Sequence, residues 1–272
     1  GKQCKGEVQA FRAELSTHLA AMRVGLLDGT LRVGEFHTFR IHDPKPRLIC
    51  AASFRERVLH HAIMNVCEAA FERYAIFDPY ACRPGKGAHA AVGRAQAFSR
   101  RNSHFLQLDI AAYFDSIAHD RLLQLVARRI KDRAVLDLVA RIVASYETAP
   151  GRGLPIGHLT SQHLANLYLG RFDHEVKERW RVKGYLRYMD DFVFFGEAEQ
   201  LREVLPRCRE WLQQELALAV KEPPVLRPCS AGISFLGFRV FPGRLGLTRR
   251  SRRRYAQQLR DLEAAWAGGY IS

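Results

Sequence analysis

The chain has no Cys-x-x-Cys pair and no histidine spacing of the zinc type, and its cysteines (Cys4, Cys50, Cys67, Cys82, Cys208 and Cys229) stand apart from one another. This argues against a zinc module and reads as free thiols in a reducing compartment rather than a disulfide framework. No run of about 18 apolar residues and no signal-like N-terminus occurs, which argues against membrane insertion and secretion. No internal repeat or low-complexity linker divides the sequence. Acidic residues are scarce: 28 Asp and Glu face 42 Lys and Arg, a formal charge of +14 with a pI near 9.9. Such a balance fits a polyanionic partner, although charge alone speaks to non-specific binding and not to function. The chain opens on Gly1 and not Met, as a fragment or a processed chain would. Its 272 residues allow one large domain or two subdomains sharing a core.

What is present centres on Gly184-Tyr-Leu-Arg-Tyr-Met-Asp-Asp-Phe-Val-Phe-Phe-Gly196. Two apolar, aromatic-rich runs flank a polar pair, which predicts a β-hairpin with Asp190 and Asp191 at or beside its turn. Adjacent carboxylates repel each other unless a cation lies between them. Hard oxygens with no His or Cys nearby suit Mg²⁺ or Mn²⁺. A solvated Asp-Asp turn is the plain reading of an isolated pair, and a second acidic stretch weighs against it. There, His104-Phe-Leu-Gln-Leu-Asp109 predicts a short strand delivering Asp109 at its end, with aromatic residues beyond it.

Elsewhere, apolar spacing predicts one amphipathic helix over residues 7–28, stopping near Gly29. Val33 to Ile41 reads as extended, and a proline-punctuated turn carrying Lys45 and Arg47 enters another strand. Ser53-Phe54-Arg55-Glu56 is a capping-box pattern opening a further helix. Arg83-Pro84-Gly85-Lys86 is a basic, glycine-containing turn, and Ile233 to Thr248 gives a hairpin signal turning at Pro242-Gly243. Asp115 reads as structural, or as a cap for the helix after it. Helical segments are predicted over Asp120–Ile130, Ala134–Ser145 and Glu199–Leu216, the last bent near Pro206. The tail carries an arginine run ahead of a helical pattern through Tyr255, Leu259, Leu262 and Trp266.

Tyr-Met-Asp-Asp on a hairpin, preceded by Leu-Asp-Ile-x-x-Tyr-Phe-Asp at a strand end, resembles the palm of a reverse transcriptase. The resemblance implies that Asp109, Asp190 and Asp191 are catalytic and, with the main chain at Ile110, hold two Mg²⁺ ions, or Mn²⁺ in their place. It implies nucleotide contacts at Lys45, Arg47, Phe114, Ile156, Gly157 and Gln162, with Phe114 selecting deoxynucleotides by steric exclusion of a 2′-hydroxyl. It further implies template or primer contacts at Arg83 and Lys86, at the Phe235-Leu236-Gly237 grip, and at Arg249, Arg250 and Arg253. Ile156-Gly157-x-x-x-Ser161-Gln162, in place of the usual Gln-Gly-x-x-x-Ser-Pro, is similar to the reverse transcriptases of diversity-generating retroelements, which misincorporate opposite template adenines. Lys221 falls a few residues early for the general-acid lysine of many relatives and stays outside the catalytic set.

The implied architecture is an α+β right-hand polymerase fold with a short or truncated thumb. Residues 1–108 are mainly fingers, 109–232 mainly palm with interleaved helices, and 233–272 the primer grip and start of the thumb. The expected function is synthesis of cDNA on a template RNA, error-prone at adenines, in the cytoplasm of a bacterium or phage-infected host. Expected partners are template RNA, the RNA/cDNA duplex, dNTPs and a small basic accessory protein, with no membrane. A retron, group II intron or CRISPR-associated reverse transcriptase, or a catalytically silent RNA-binding scaffold, remains an alternative.

Overall fold

The structure, a computed structural model, describes residues 6–42 and 46–270. It divides into two compact units, each gathered from separate stretches of chain. Gly1–Phe77, Ile110–Glu175 and Glu210–Ala219 make the first; Asp78–Asp109, Val176–Arg209 and Val220–Ser272 make the second.

The first unit opens with α1 (Gly6–Ala13) and α2 (Leu15–Leu27), where the apolar spacing predicts a single helix. The break is at Glu14, whose φ of −120° and ψ of 38° leave the helical range. Packing accounts for it: Val8, Phe11 and Met22 are buried whereas Leu15 and Leu19 are exposed, so the two apolar faces do not share one line. The antiparallel ribbon β1 (Phe36–His42) and β2 (Pro46–Ala52) comes next, in register from Phe36 opposite Ala52 to His42 opposite Pro46. Helix α3 (Phe54–Tyr74) begins at the predicted capping box. Ser53 Oγ accepts from the Glu56 N–H at 3.2 Å, satisfying a donor that a first helical turn leaves open.

The chain enters the second unit with α4 (Ala88–Ser99) and β3 (His104–Leu108). It returns to the first through α5 (Tyr113–Ser116), α6 (His119–Arg129), α7 (Arg133–Ala144) and α8 (Leu159–His174). Asp115 lies inside the single turn of α5 and does not cap α6, whose N-cap is Ala118. Helix α8 packs on α3 and α6 and buries Leu164, Leu167, Tyr168 and Phe172.

Back in the second unit come β4 (Gly184–Tyr188) and β5 (Asp191–Gly196). Helix α9 (Ala198–Leu216) runs through Pro206 and passes from the second unit to the first after Arg209. The chain then forms β6 (Val225–Pro228), β7 (Ile233–Phe235), β8 (Phe238–Val240), β9 (Leu245–Leu247) and α10 (Arg249–Ala267). One sheet has the order β4-β5-β3-β6 and another the order β7-β8-β9, and all their neighbours are antiparallel. The run Ile233–Phe241 is two strands, not one. It folds back at Leu236 and Gly237, whose φ values are +49° and +85°, the positive pair that tight two-residue hairpins use.

Phe105, Leu186, Val193, Phe195, Ile233, Phe235 and Val240 form the core of this unit with Ala91, Val92 and Ala95 of α4. Their strand neighbours Leu106, Tyr185, Phe192 and Phe194 are also fully buried. Burial of both faces is why β4 and β5 read as continuous apolar runs instead of alternating. Cys50, Cys67, Cys82, Cys208 and Cys229 form no disulfide with one another. No helix among the described residues is long and apolar enough to cross a membrane.

Candidate catalytic site

The aspartates sit at one end of the β4-β5-β3 sheet, and strand register puts them there. Tyr188 pairs with Asp191, so Met189 and Asp190 alone form the hairpin turn. Met189 has a φ of +53°, in the left-handed region that such turns demand and that a non-glycine side chain resists. Leu108 pairs with Phe192 in the antiparallel β3–β5 ladder, so the next step along each strand sets Asp109 against Asp191. Residues far apart in sequence are thus brought together.

The electrostatics carry the mark of that crowding. Asp191 is half-buried, and its pKa is pushed up to about 7, first by loss of solvent and then by the charges of Asp109 and Asp190, with Lys221 opposing. Lys221, set aside on spacing, lies within the site: its ammonium donates to Asp109 Oδ2, and its main-chain N–H donates to the Asp109 carbonyl at 2.8 Å. The bond to Asp109 raises the Lys221 pKa. The signal that could have found it lies in the topology, because β6, which comes shortly after Lys221, pairs with β3 and so brings the preceding residues beside the Asp109 end.

Among the described residues, no three His, Cys, Asp or Glu side chains are already gathered as a metal-ligand group. The chemistry of the donors nevertheless fits a hard divalent cation. All are carboxylates, loss of solvent and then their mutual repulsion push the Asp191 pKa up to about 7, and the cation paired with Asp109 is an exposed lysine that can swing away.

The other predicted residues fall in both units. In the first, Phe114 is half-buried in α5 and its carbonyl accepts from the Leu154 N–H at 2.8 Å. The Ile156 carbonyl accepts from the Cys50 N–H of β2 at 2.8 Å. Gly157 has a φ of +119°, and a Cβ there would meet the Cys50 carbonyl oxygen at 2.6 Å, so glycine is the residue that this turn accepts. Gln162 is in the first turns of α8, Arg47 is exposed on β2, and Ile110 is buried. Lys45 lies outside the described residues.

In the second unit, Arg83 Nη1 donates to the Pro79 carbonyl at 2.9 Å, and the Lys86 ammonium stands 4.8 Å over the Tyr80 ring. The Phe235 side chain is 1% exposed and belongs to the core, which leaves Leu236 and Gly237 as the accessible part of that turn. Arg249, Arg250 and Arg253 occupy the first turns of α10, a helix that buries none of its residues and is capped by Thr248.

The family described as "Reverse transcriptase (RNA-dependent DNA polymerase)" matches residues 41–239, from the β1-β2 ribbon through the aspartate hairpin to β8. The chain belongs to the reverse transcriptase family. Protein YkfC of Escherichia coli is 25% identical over 85% of this chain and 73% of its own length. The group II intron-encoded protein LtrA of Lactococcus lactis is 24% identical over 54% of this chain, a stretch that makes up 26% of LtrA. Among solved structures, apo telomerase from Candida tropicalis superposes with a TM-score of 0.61 at 11% identity, over 88% of this chain and 54% of that one. At that identity the likeness is one of fold: the α+β architecture is that of reverse transcriptase and telomerase polymerases.

Proposed function

We propose that the chain copies a template RNA into cDNA by nucleotidyl transfer at Asp109, Asp190 and Asp191. The observation that carries this reading is the strand register that sets Asp109 against Asp191 beside a two-residue turn holding Asp190. In this reading, the carboxylates and the Ile110 main chain would hold two Mg²⁺ ions, or Mn²⁺ in their place, and the chemistry supplied there would be Lewis acidity towards the primer 3′-hydroxyl and the triphosphate. Lys221 would leave Asp109 when a cation arrives. Phe114 would exclude a 2′-hydroxyl, and the turn at Ile156 and Gly157, with Gln162, would pack on the nucleotide. Lys45 and Arg47 would meet its phosphates. Arg83 and Lys86 would grip template phosphates, Leu236 and Gly237 the primer main chain, and α10 the duplex. Residues 1–108 would then be mainly fingers, 109–232 mainly palm and 233–272 primer grip and thumb. Primer extension on an RNA template with Mg²⁺ tests the reading. Extension by the wild type that is lost in Asp190→Ala supports it; no extension, or extension undiminished by Asp190→Ala, would sink it.

The subtype favoured by Ile156-Gly157-x-x-x-Ser161-Gln162 is the mutagenic enzyme of a diversity-generating retroelement. It would work in the cytoplasm of a bacterium or phage-infected host with a structured template RNA and a small basic accessory protein. The similarity to LtrA over about half the chain favours a second reading, a group II intron-type enzyme. Sequencing cDNA from a defined RNA template separates them. Errors concentrated opposite adenines support the first reading, and errors spread over all four bases overturn it in favour of the second.

A further inference from the structure

The bulkiest side chain among the fully buried residues described is an arginine in the aspartate hairpin: Arg187, on β4, is 1% exposed. Its guanidinium keeps its charge at any physiological pH, and burial of such a group is costly unless its contacts hold it in place. One contact is specific. Arg187 Nη1 donates to the Met189 carbonyl oxygen at 2.9 Å. That carbonyl belongs to the peptide joining Met189 to Asp190, and Met189 has the left-handed φ that a side-chain-bearing residue does not adopt without support. Fixing the peptide plane fixes the direction in which Asp190 leaves the backbone.

The main chain of Arg187 is held as firmly. Its N–H donates to the Asp78 carbonyl at 3.1 Å and its carbonyl accepts from the Tyr80 N–H at 2.9 Å. The Asp78–Tyr80 segment therefore lies along the outer edge of β4, just before the turn that carries Arg83 and Lys86. Asp78 is itself locked by Arg94 at 3.0 Å and Lys177 at 2.9 Å. The guanidinium thus works from a fixed base, braced at the head of the Arg-Pro-Gly loop and reaching forward to the turn.

We infer that Arg187 is a positioning residue that holds the Met189–Asp190 peptide in the geometry in which Asp190 can share a divalent cation with Asp109 and Asp191. The inference rests on the polymerase reading. Its test titrates Mn²⁺ into wild type, Arg187→Met and Arg187→Lys by electron paramagnetic resonance without nucleotide, alongside primer-extension kinetics and circular dichroism.

Arg187→Met, similar in bulk but without a donor, should bind Mn²⁺ about tenfold more weakly and lose kcat about tenfold or more, with the KM for dNTP within about threefold. Arg187→Lys, which keeps a donor on a different reach, should fall in between. Wild-type Mn²⁺ affinity and kcat in folded Arg187→Met overturn the inference. If that variant does not fold, Arg187→Lys decides: weaker Mn²⁺ binding in a folded protein supports the role, and wild-type affinity overturns it. Failure of the polymerase reading shows differently, as a wild type that does not extend a primer.

Discussion

Lys221 and Asp109 grip each other twice, through the ammonium on Asp109 Oδ2 and through a main-chain bond from the Lys221 N–H to the Asp109 carbonyl. The second bond fixes where the side chain starts, so the ammonium stands against Asp109 as a local counter-charge. Removing it has two effects of different size. As an exposed ion pair it contributes at most about 1 kcal/mol to stability, so Lys221→Met should lower Tm only slightly in EDTA. A cation entering the site no longer has to displace the ammonium, so the Mg²⁺ concentration that half-saturates the thermal shift should fall. A rise in that concentration would mean that Lys221 helps to hold the site together with metal bound.

A pH dependence is expected from the first unit. His158 is 2% exposed, its ring lies 4.9 Å from that of His60, and its Nε2 is without a hydrogen-bond partner in the structure. Burial first, and the charge of His60 second, lower its pKa from 6.5 to about 4. A histidine held neutral in the fold takes up a proton more readily when unfolded. Its contribution is therefore intact above pH 6.5 and lost as pH falls from there towards 4, up to about 3 kcal/mol by linkage. Asp191 pulls the other way, so the measurement is a difference: urea stability of wild type minus His158→Gln between pH 4 and 7. That difference should shrink as pH falls, and a flat difference would show that His158 is not buried neutral.

The turn that precedes His158 gives two separable predictions. Gly157→Ala places a Cβ 2.6 Å from the Cys50 carbonyl oxygen at a φ of +119°, and should cost about 2–4 kcal/mol in folding stability. Ile156→Gln leaves the main-chain bond to Cys50 intact and adds an amide able to hydrogen-bond a nucleotide. The expected result is near-wild-type stability with fewer errors opposite template adenines. Unchanged cDNA error spectra would count against any part for Ile156 in fidelity.

The aspartate hairpin was legible because its signals are local. Asp109 ends a short apolar strand, and Asp190 sits between two runs whose pairing leaves room for only a two-residue turn. The capping box at Ser53 was legible for the same reason. The break at Glu14 was not, since the spacing is helical on both sides and only tertiary burial of Phe11 and Met22 tells the faces apart. Nor was the fold-back at Leu236–Gly237, where an apolar run hides a turn that only the positive φ of both residues reveals. Lys221 was missed because its place depends on the return of β6 beside β3, a non-local pairing. Arg187 is one polar residue in an apolar run, and its reach to the Met189 carbonyl cannot be read from spacing.

The arginines of α10 can be tested by their salt dependence. At 100° per residue, Arg249, Arg250 and Arg253 fall on the face opposite Tyr255, Leu259, Leu262 and Trp266, and none of these residues is buried. Basic side chains on an exposed face act on a duplex by neutralising phosphates and releasing counterions, so each contact adds about 0.9 to the slope of log affinity against log salt. Replacing all three with Ala keeps the Thr248 cap and puts in a better helix former, so the helix itself should not weaken. Binding to an RNA/DNA duplex should drop at low salt, converge with wild type at high salt, and show a slope smaller by about 2–3. Parallel slopes would mean that these arginines are solvated and that duplex affinity resides elsewhere. A uniform loss at every salt concentration would point instead to a damaged helix, which circular dichroism would register directly.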